Sequence, residues 1–184
     1  MNEGAVDPPE LVMAVPTELP EGGKRTAEKA KNWLVSERHE RGYRSVDRRE
    51  RVLVTQAFAA HNKVVYGQAF DLVRVANEAN VNFGDLPALT DAVTRRELVL
   101  IEVKASRITR VSSGHFGGHF FSLSTAELLV AQSLGDLYRF AFVNVETGEA
   151  YEASLQQIYR RARAIYPTWS IRLDDQEFPP DAAI

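Results

Sequence analysis

Cysteine is absent from the 184 residues, which removes thiol nucleophiles, disulfide staples and Cys-built zinc sites. The chain also lacks an apolar run of membrane-spanning length, and its first residues show no basic stretch followed by an apolar core. Neither a membrane span nor a secretion signal is expected, and the placement expected is cytoplasmic. Glycines never fall in the Gly-x-Gly-x-x-Gly spacing of a dinucleotide site, and no Gly-x-Ser-x-Gly elbow is present. The stretch Gly22-Gly23-Lys24-Arg25-Thr26 fails as a phosphate loop, because Arg25 separates Lys24 from Thr26 and no earlier glycine has the required spacing. With 45% hydrophobic residues, the chain suits one globular domain with a sizeable core.

Net charge is -3, which taken alone argues against a polyanionic partner. Divided by region, it reads differently. Residues 1–23 carry five carboxylates and residues 174–184 carry four, with no Lys or Arg in either stretch. Taking these nine acids from 25 leaves 16 against all 22 bases, a body of net charge +6 between two acidic tails. A basic body suits nucleic acid, whose phosphates release condensed counterions to Lys and Arg. Acidic tails are equally common as solubilising segments. The expected division is a tail at 1–23, a domain at 24–173 and a tail at 174–184.

Leu98, Val99, Leu100, Ile101 and Val103 form a short β-branched run of the kind found in a strand buried on both faces, yet Glu102 and Lys104 interrupt it. A buried charge is costly. Side chains two apart on a strand share a face, so Glu102 and Lys104 could act on one bound group. A carboxylate so placed can hold a hard divalent cation, and an ammonium can offset phosphate charge or orient water. The competing explanation is a solvated Glu-x-Lys ion pair. An acidic partner lies upstream, where Asp71 follows Ala69 and Phe70 and precedes Leu72, Val73, Arg74 and Val75 in a strand-like pattern that suits Asp poorly. Asp85 and Asp91 are rival carboxylates. Asp85 sits in Phe83-Gly84-Asp85-Leu86-Pro87, which reads as a turn, and Asp91 as the opening of a short polar helix. Residues 77–97 then form an insertion between two strands.

With Phe70-Asp71 as first motif and Glu102-Val103-Lys104 as second, the chain resembles the PD-(D/E)XK nuclease superfamily. Residues 101–106, then Phe120-Phe121-Ser122-Leu123-Ser124 with Glu127 and Ala131, then 138–145, look closest to the nuclease-like domain at the C-terminus of NO VEIN proteins. The resemblance covers roughly residues 25–160. It implies an α/β, restriction-endonuclease-like fold with a mixed central sheet flanked by helices. It also implies a Mg²⁺-dependent DNA-cleaving site, with Mn²⁺ as a substitute. In that site Asp71, Glu102 and the Val103 carbonyl hold the metal, Lys104 positions water, and Glu28 matches a further Glu often found on the first helix. By analogy with the superfamily, a homodimer is one expected assembly.

Between Val103 and Ala126 there is no carboxylate, while Lys104, Arg107, Arg110, His115 and His119 occur among glycines and serines. Such a loop could follow a phosphate backbone, or be a flexible connection with incidental charge. A metal site of His115 and His119 is disfavoured, because His-x-x-x-His aligns both rings only in a helix and the glycines oppose one. Arg48, Arg49 and Arg51, and Arg160, Arg161 and Arg163, could flank a nucleic-acid path or form solvated helix faces. Ser106 and Glu127 could border the site, or serve as a polar strand end and a helix cap. Phe116, Phe120, Phe121, Phe140 and Phe142 suit a core better than base stacking.

Patterning predicts a helix at 26–41 capped by Thr26 and ended by Gly42, with Trp33 packing inward. At 48–60 helical spacing of Leu53, Ala57 and Ala60 fits better than a strand. Strands are predicted at 64–75, 98–106, 120–123 and 137–145. Ser124 and Glu127 form a capping box for a helix burying Leu128, Leu129 and Ala131. A turn at 146–149, a final helix at 152–166 and an edge strand at 169–173 complete the expected mixed α/β sandwich. Two functions follow as expectations: a DNA phosphodiesterase in defence, restriction or repair, RNA being the other possible substrate, or a non-catalytic nucleic-acid-binding or scaffold module of a larger complex.

Overall fold

Ala30 and Leu34, one turn apart, form the buried stripe of helix α1 (Glu21–Glu37) in the computed structural model, which describes residues 21–76, 79–107 and 120–165. A 3-10 turn, His39–Arg41, leads through Gly42 into β1 (Tyr43–Arg44). Gly42 has φ +78°, and a Cβ there would lie 2.1 Å from the Val75 carbonyl oxygen, so only glycine fits. Helix α2 (Arg48–Ala59) opens with a capping box of Asp47 and Glu50 and buries Val54, Ala57 and Phe58. Strand β2 (Leu72–Val75) follows, then α3 (Leu86–Thr94), capped by Asp85 with a proline in its first turn, where the missing N–H is harmless. After these come β3 (Leu98–Ser106), α4 (Thr125–Leu134), β4 (Tyr138–Asn144), β5 (Glu149–Ala153) and α5 (Leu155–Arg161).

The strands form one mixed sheet in the order β1-β2-β3-β4-β5, antiparallel except for the parallel pair β3 and β4. Alternation divides its side chains between two cores. Leu72, Val99, Ile101, Val103, Ala141 and Val143 pack with Ala30 and Leu34 of α1. On the other face Val73, Leu98, Leu100, Tyr138, Phe140 and Phe142 pack with residues of α2, α3, α4 and α5. The sheet is therefore sandwiched between helices. It also curls. Tyr43 on one edge strand donates its hydroxyl to Glu152 on the other, and Arg74 Nε lies 3.1 Å from the same Glu152 oxygen without hydrogen-bond alignment. In a flat sheet strands four positions apart would be separated by about 19 Å, so the sheet must wrap around α1 for these side chains to meet.

Several expectations are corrected. Helix α1 begins at Glu21, so Thr26 is buried inside it and does not mark its N-terminus. The strand at 64–75 contracts to Leu72–Val75, because the chain before it runs through turns at 61–62 and 67–68. Asp85 is a helix cap and Asp91 sits within that helix. Residues 120–123 are not a strand but an irregular approach to the Ser124 cap, with Phe120 exposed at 71%. Leu129 points outward at 46% exposure, whereas Ala131 is buried as expected and Val130 and Leu134 are buried with it. The helix at 152–166 is replaced by β5 and the shorter α5, because the turn with Gly148 at φ +70° returns the chain antiparallel to β4. The predicted strand at 169–173 and Phe116 lie outside the described residues. Helix α2, the span of β3 and the capping box of α4 agree with the sequence reading.

Candidate functional site

β3 outruns its antiparallel neighbour. The β2 register ends at Leu72 opposite Ile101, whereas the parallel pairing with β4 continues to Ser106 opposite Asn144. Asp71 stands one step beyond the end of β2, opposite Glu102. Its own N–H donates to the Ile101 carbonyl (2.8 Å), and its Oδ2 accepts from the Val103 N–H (2.9 Å). The side chain thus supplies the acceptor that a longer β2 would have offered from its backbone. In strand geometry the N–H and C=O of one residue point to the same side, so the Val103 carbonyl is also directed toward the flank that β2 leaves uncovered.

On the α2 to α5 face of β3 the apolar pattern of Leu98 and Leu100 gives way to Glu102, Lys104 and Ser106. Glu102 is buried, and Lys104 Nζ sits between its Oε1 (3.0 Å) and Glu127 Oε2 (2.7 Å). Glu127 is the third residue of α4. Its carboxylate accepts from the Ser124 N–H (3.1 Å) while its own N–H donates to Ser124 Oγ (3.2 Å). The helix cap therefore also fixes the lysine: the capping explanation for Glu127 holds, and the same carboxylate pairs with Lys104.

Electrostatics follow from this crowding. Burial is the largest influence on Glu102 and drives its pKa well up. Lys104 opposes that shift, and the charges of Asp71 and Glu127 add to it. For Lys104 burial works against the charge, yet Glu102 and Glu127 outweigh it and raise the pKa. The amine is an ammonium at neutral pH, a donor and not a base. Tyr138 is fully buried on the same face. Burial first, then Glu102, Glu127 and Asp71, push its hydroxyl far above the usual phenol range.

The structure brings Asp71, Glu102, Val103, Lys104 and Glu127 together. Glu28 is connected only indirectly: it lies exposed on α1 and binds Lys31 (2.8 Å), whose Nζ is 3.6 Å from Asp71 Oδ1. Ser106 is buried at the end of β3, and Arg107 is exposed just beyond it. Arg110, His115 and His119 lie outside the described residues. Sequence reasoning missed Lys31, Tyr138 and Arg51. The guanidinium of Arg51 is part-buried 4.2 Å over the Phe70 ring, so the solvated-face reading of the 48–51 cluster fails for this residue. Three arginines in four residues gave no signal of which one turns inward.

No protein-family model, curated protein or solved structure matches this chain.

The donor set can still be tested against a metal. Among the described residues no group of three or more His, Cys, Asp or Glu is arranged to hold an ion. What the site offers is two carboxylates and one main-chain carbonyl, all hard oxygens. That set suits Mg²⁺, which keeps several waters and commonly takes one or two carboxylates. It suits poorly a metal that requires a full protein cage. Among the described residues no helix is long and apolar enough to cross a membrane.

Proposed function

We propose that the chain is a metal-dependent phosphodiesterase acting on DNA, built on a restriction-endonuclease-like version of the mixed sheet, as its resemblance to the PD-(D/E)XK nucleases implies. The observation that carries the reading is the placement of Asp71 opposite Glu102 at the step where β3 outruns β2, with Lys104 on the same face. Asp71, Glu102 and the Val103 carbonyl would hold Mg²⁺ or Mn²⁺. When bound, the ion would supply Lewis-acid activation of the phosphate and of a water. Lys104 is a preorganised cation, because two carboxylates keep it protonated. Its role is to donate to a phosphate oxygen or an attacking water as negative charge develops.

The test is cleavage of plasmid and short duplex DNA with Mg²⁺ or Mn²⁺, using Asp71→Asn, Glu102→Gln and Lys104→Met. Each should lower kcat at least about 100-fold, the scale at which one electrostatic partner of a transition state acts. Wild-type rates in all three would reject the proposal. A second reading, the non-catalytic binding module, is favoured by one observation: Lys104 already has both its carboxylate partners. DNA binding that ignores metal, together with no Mn²⁺ uptake by calorimetry, would select it.

A further inference from the structure

The segment that delivers Asp71 is not a strand, yet its carbonyls are bonded from several elements. Main-chain carbonyls withdrawn from water need donors. For the buried carbonyl of Ala69, the part-buried ones of Phe70 and Asp71 and the exposed one of Gly67, donors come from side chains of other elements. Arg51 Nη1, from α2, donates to the carbonyls of Gly67 (2.8 Å) and Phe70 (2.6 Å), and Nη2 reaches that of Asp71 (3.4 Å). Tyr138, from β4, donates to the carbonyl of Ala69 between them. The Phe70 ring beneath the guanidinium is itself buried. From the backbone, Ala69 N–H donates to the Tyr66 carbonyl and Asp71 N–H to that of Ile101 on β3.

We propose that Arg51 is the positioning residue of the site: its planar guanidinium gathers the carbonyls on either side of the Phe70 anchor and so aims the Asp71 carboxylate at the flank of β3. Lysine cannot replace it, because one ammonium lacks the fixed fork that spans separate carbonyls. Arg51 touches no reacting atom in this assignment. It acts through Asp71, and its bearing on metal binding rests on the nuclease reading above. The aiming itself does not.

Two measurements keep these levels apart. The first is hydrogen exchange of the Val103 amide in metal-free protein, since that N–H is held by Asp71 Oδ2. Arg51→Met, which keeps a stem over Phe70, should speed exchange at Val103 at least about tenfold while Leu100 and Phe140 deeper in the sheet keep wild-type protection. Arg51→Lys should fall between. If Arg51→Met does not fold, Arg51→Lys carries the same test. A Val103 amide as protected as in wild type, or a loss spread evenly over β3 and β4, overturns the proposal.

The second is calorimetric titration with Mn²⁺. A supporting partner behind a metal ligand is worth about 10- to 100-fold in affinity, and Arg51→Met should lose that much. With DNA as substrate, kcat should fall and KM should hold. Wild-type Mn²⁺ affinity in Arg51→Met overturns the metal role of Arg51. Absence of Mn²⁺ binding in wild-type protein overturns the nuclease reading alone and leaves the exchange result standing.

Discussion

Glu102 is the residue where chemistry and stability oppose each other. Its folded pKa is raised, with burial the main cause, so the fold binds its proton more tightly than the unfolded chain does. The contribution to stability is complete below the ordinary Glu value of 4.5 and is lost as pH rises through the raised folded value. Glu102→Gln, neutral at every pH, should therefore melt above wild type at pH 8 in chelator, with the gap closing toward pH 4. Each kcal/mol gained is worth about 2–4 °C in a domain of this size. A wild-type chain more stable than Glu102→Gln at pH 8 would contradict the buried, crowded state of the carboxylate. Lys31 makes the complementary case. Its ammonium lies 3.6 Å from Asp71 Oδ1, a loose contact with which a divalent ion would have to compete. Lys31→Met should tighten Mn²⁺ binding several-fold in calorimetry, whereas weaker binding would make Lys31 a support and not a competitor.

At the scale of elements, what was legible in the sequence depended on how local the signal was. β3 could be read because Leu98, Val99, Leu100, Ile101 and Val103 form a short apolar, β-branched run at the head of the strand, and α4 because Ser124 and Glu127 announce its cap within four positions. β1 could not: two residues hold no pattern, and their place is set by Gly42 fitting against Val75. β5 reads Glu-Ala-Tyr-Glu-Ala, which has no strand signature of its own and becomes one by pairing with β4. For the candidate site, Asp71, Glu102 and Lys104 were legible as out-of-place charges among apolar neighbours. Arg51 and Tyr138 were not, since their partners are backbone carbonyls 16 or more positions away. Two substitutions probe the elements. Ser124→Ala removes the α4 cap and should destabilise by about 1 kcal/mol in urea unfolding. Gly42→Ala forces a left-handed backbone and a clash with Val75, and should exceed about 1–2 kcal/mol.

Across the whole molecule, the curled sheet ties its two edges together through Tyr43, Arg74 and Glu152. Burial, then the bond to Glu152, raises the Tyr43 pKa. The fold therefore resists ionising this phenol, and stability should fall as pH rises above the ordinary tyrosine value of 10.0. Tyr43→Phe should remove that alkaline component, as seen in melting curves taken from pH 9 upward. Charge also acts at this scale. For the proposed DNA partner, a body of net charge +6 implies strongly salt-dependent binding. With about six phosphates engaged, affinity should drop about 10³-fold between about 50 and 200 mM salt. A flat response would remove the electrostatic support for nucleic acid.

Asp71 also constrains which ion the proposed centre can select. With one lone pair of Oδ2 committed to the Val103 N–H, Asp71 would be better suited to hold an ion through Oδ1 than through both oxygens at once. Calcium, whose larger radius calls for six to eight oxygens and often a bidentate acid, should bind weakly and fail to support turnover where the smaller magnesium or manganese ion succeeds. Selectivity would then originate in a sheet strand that ends one residue early.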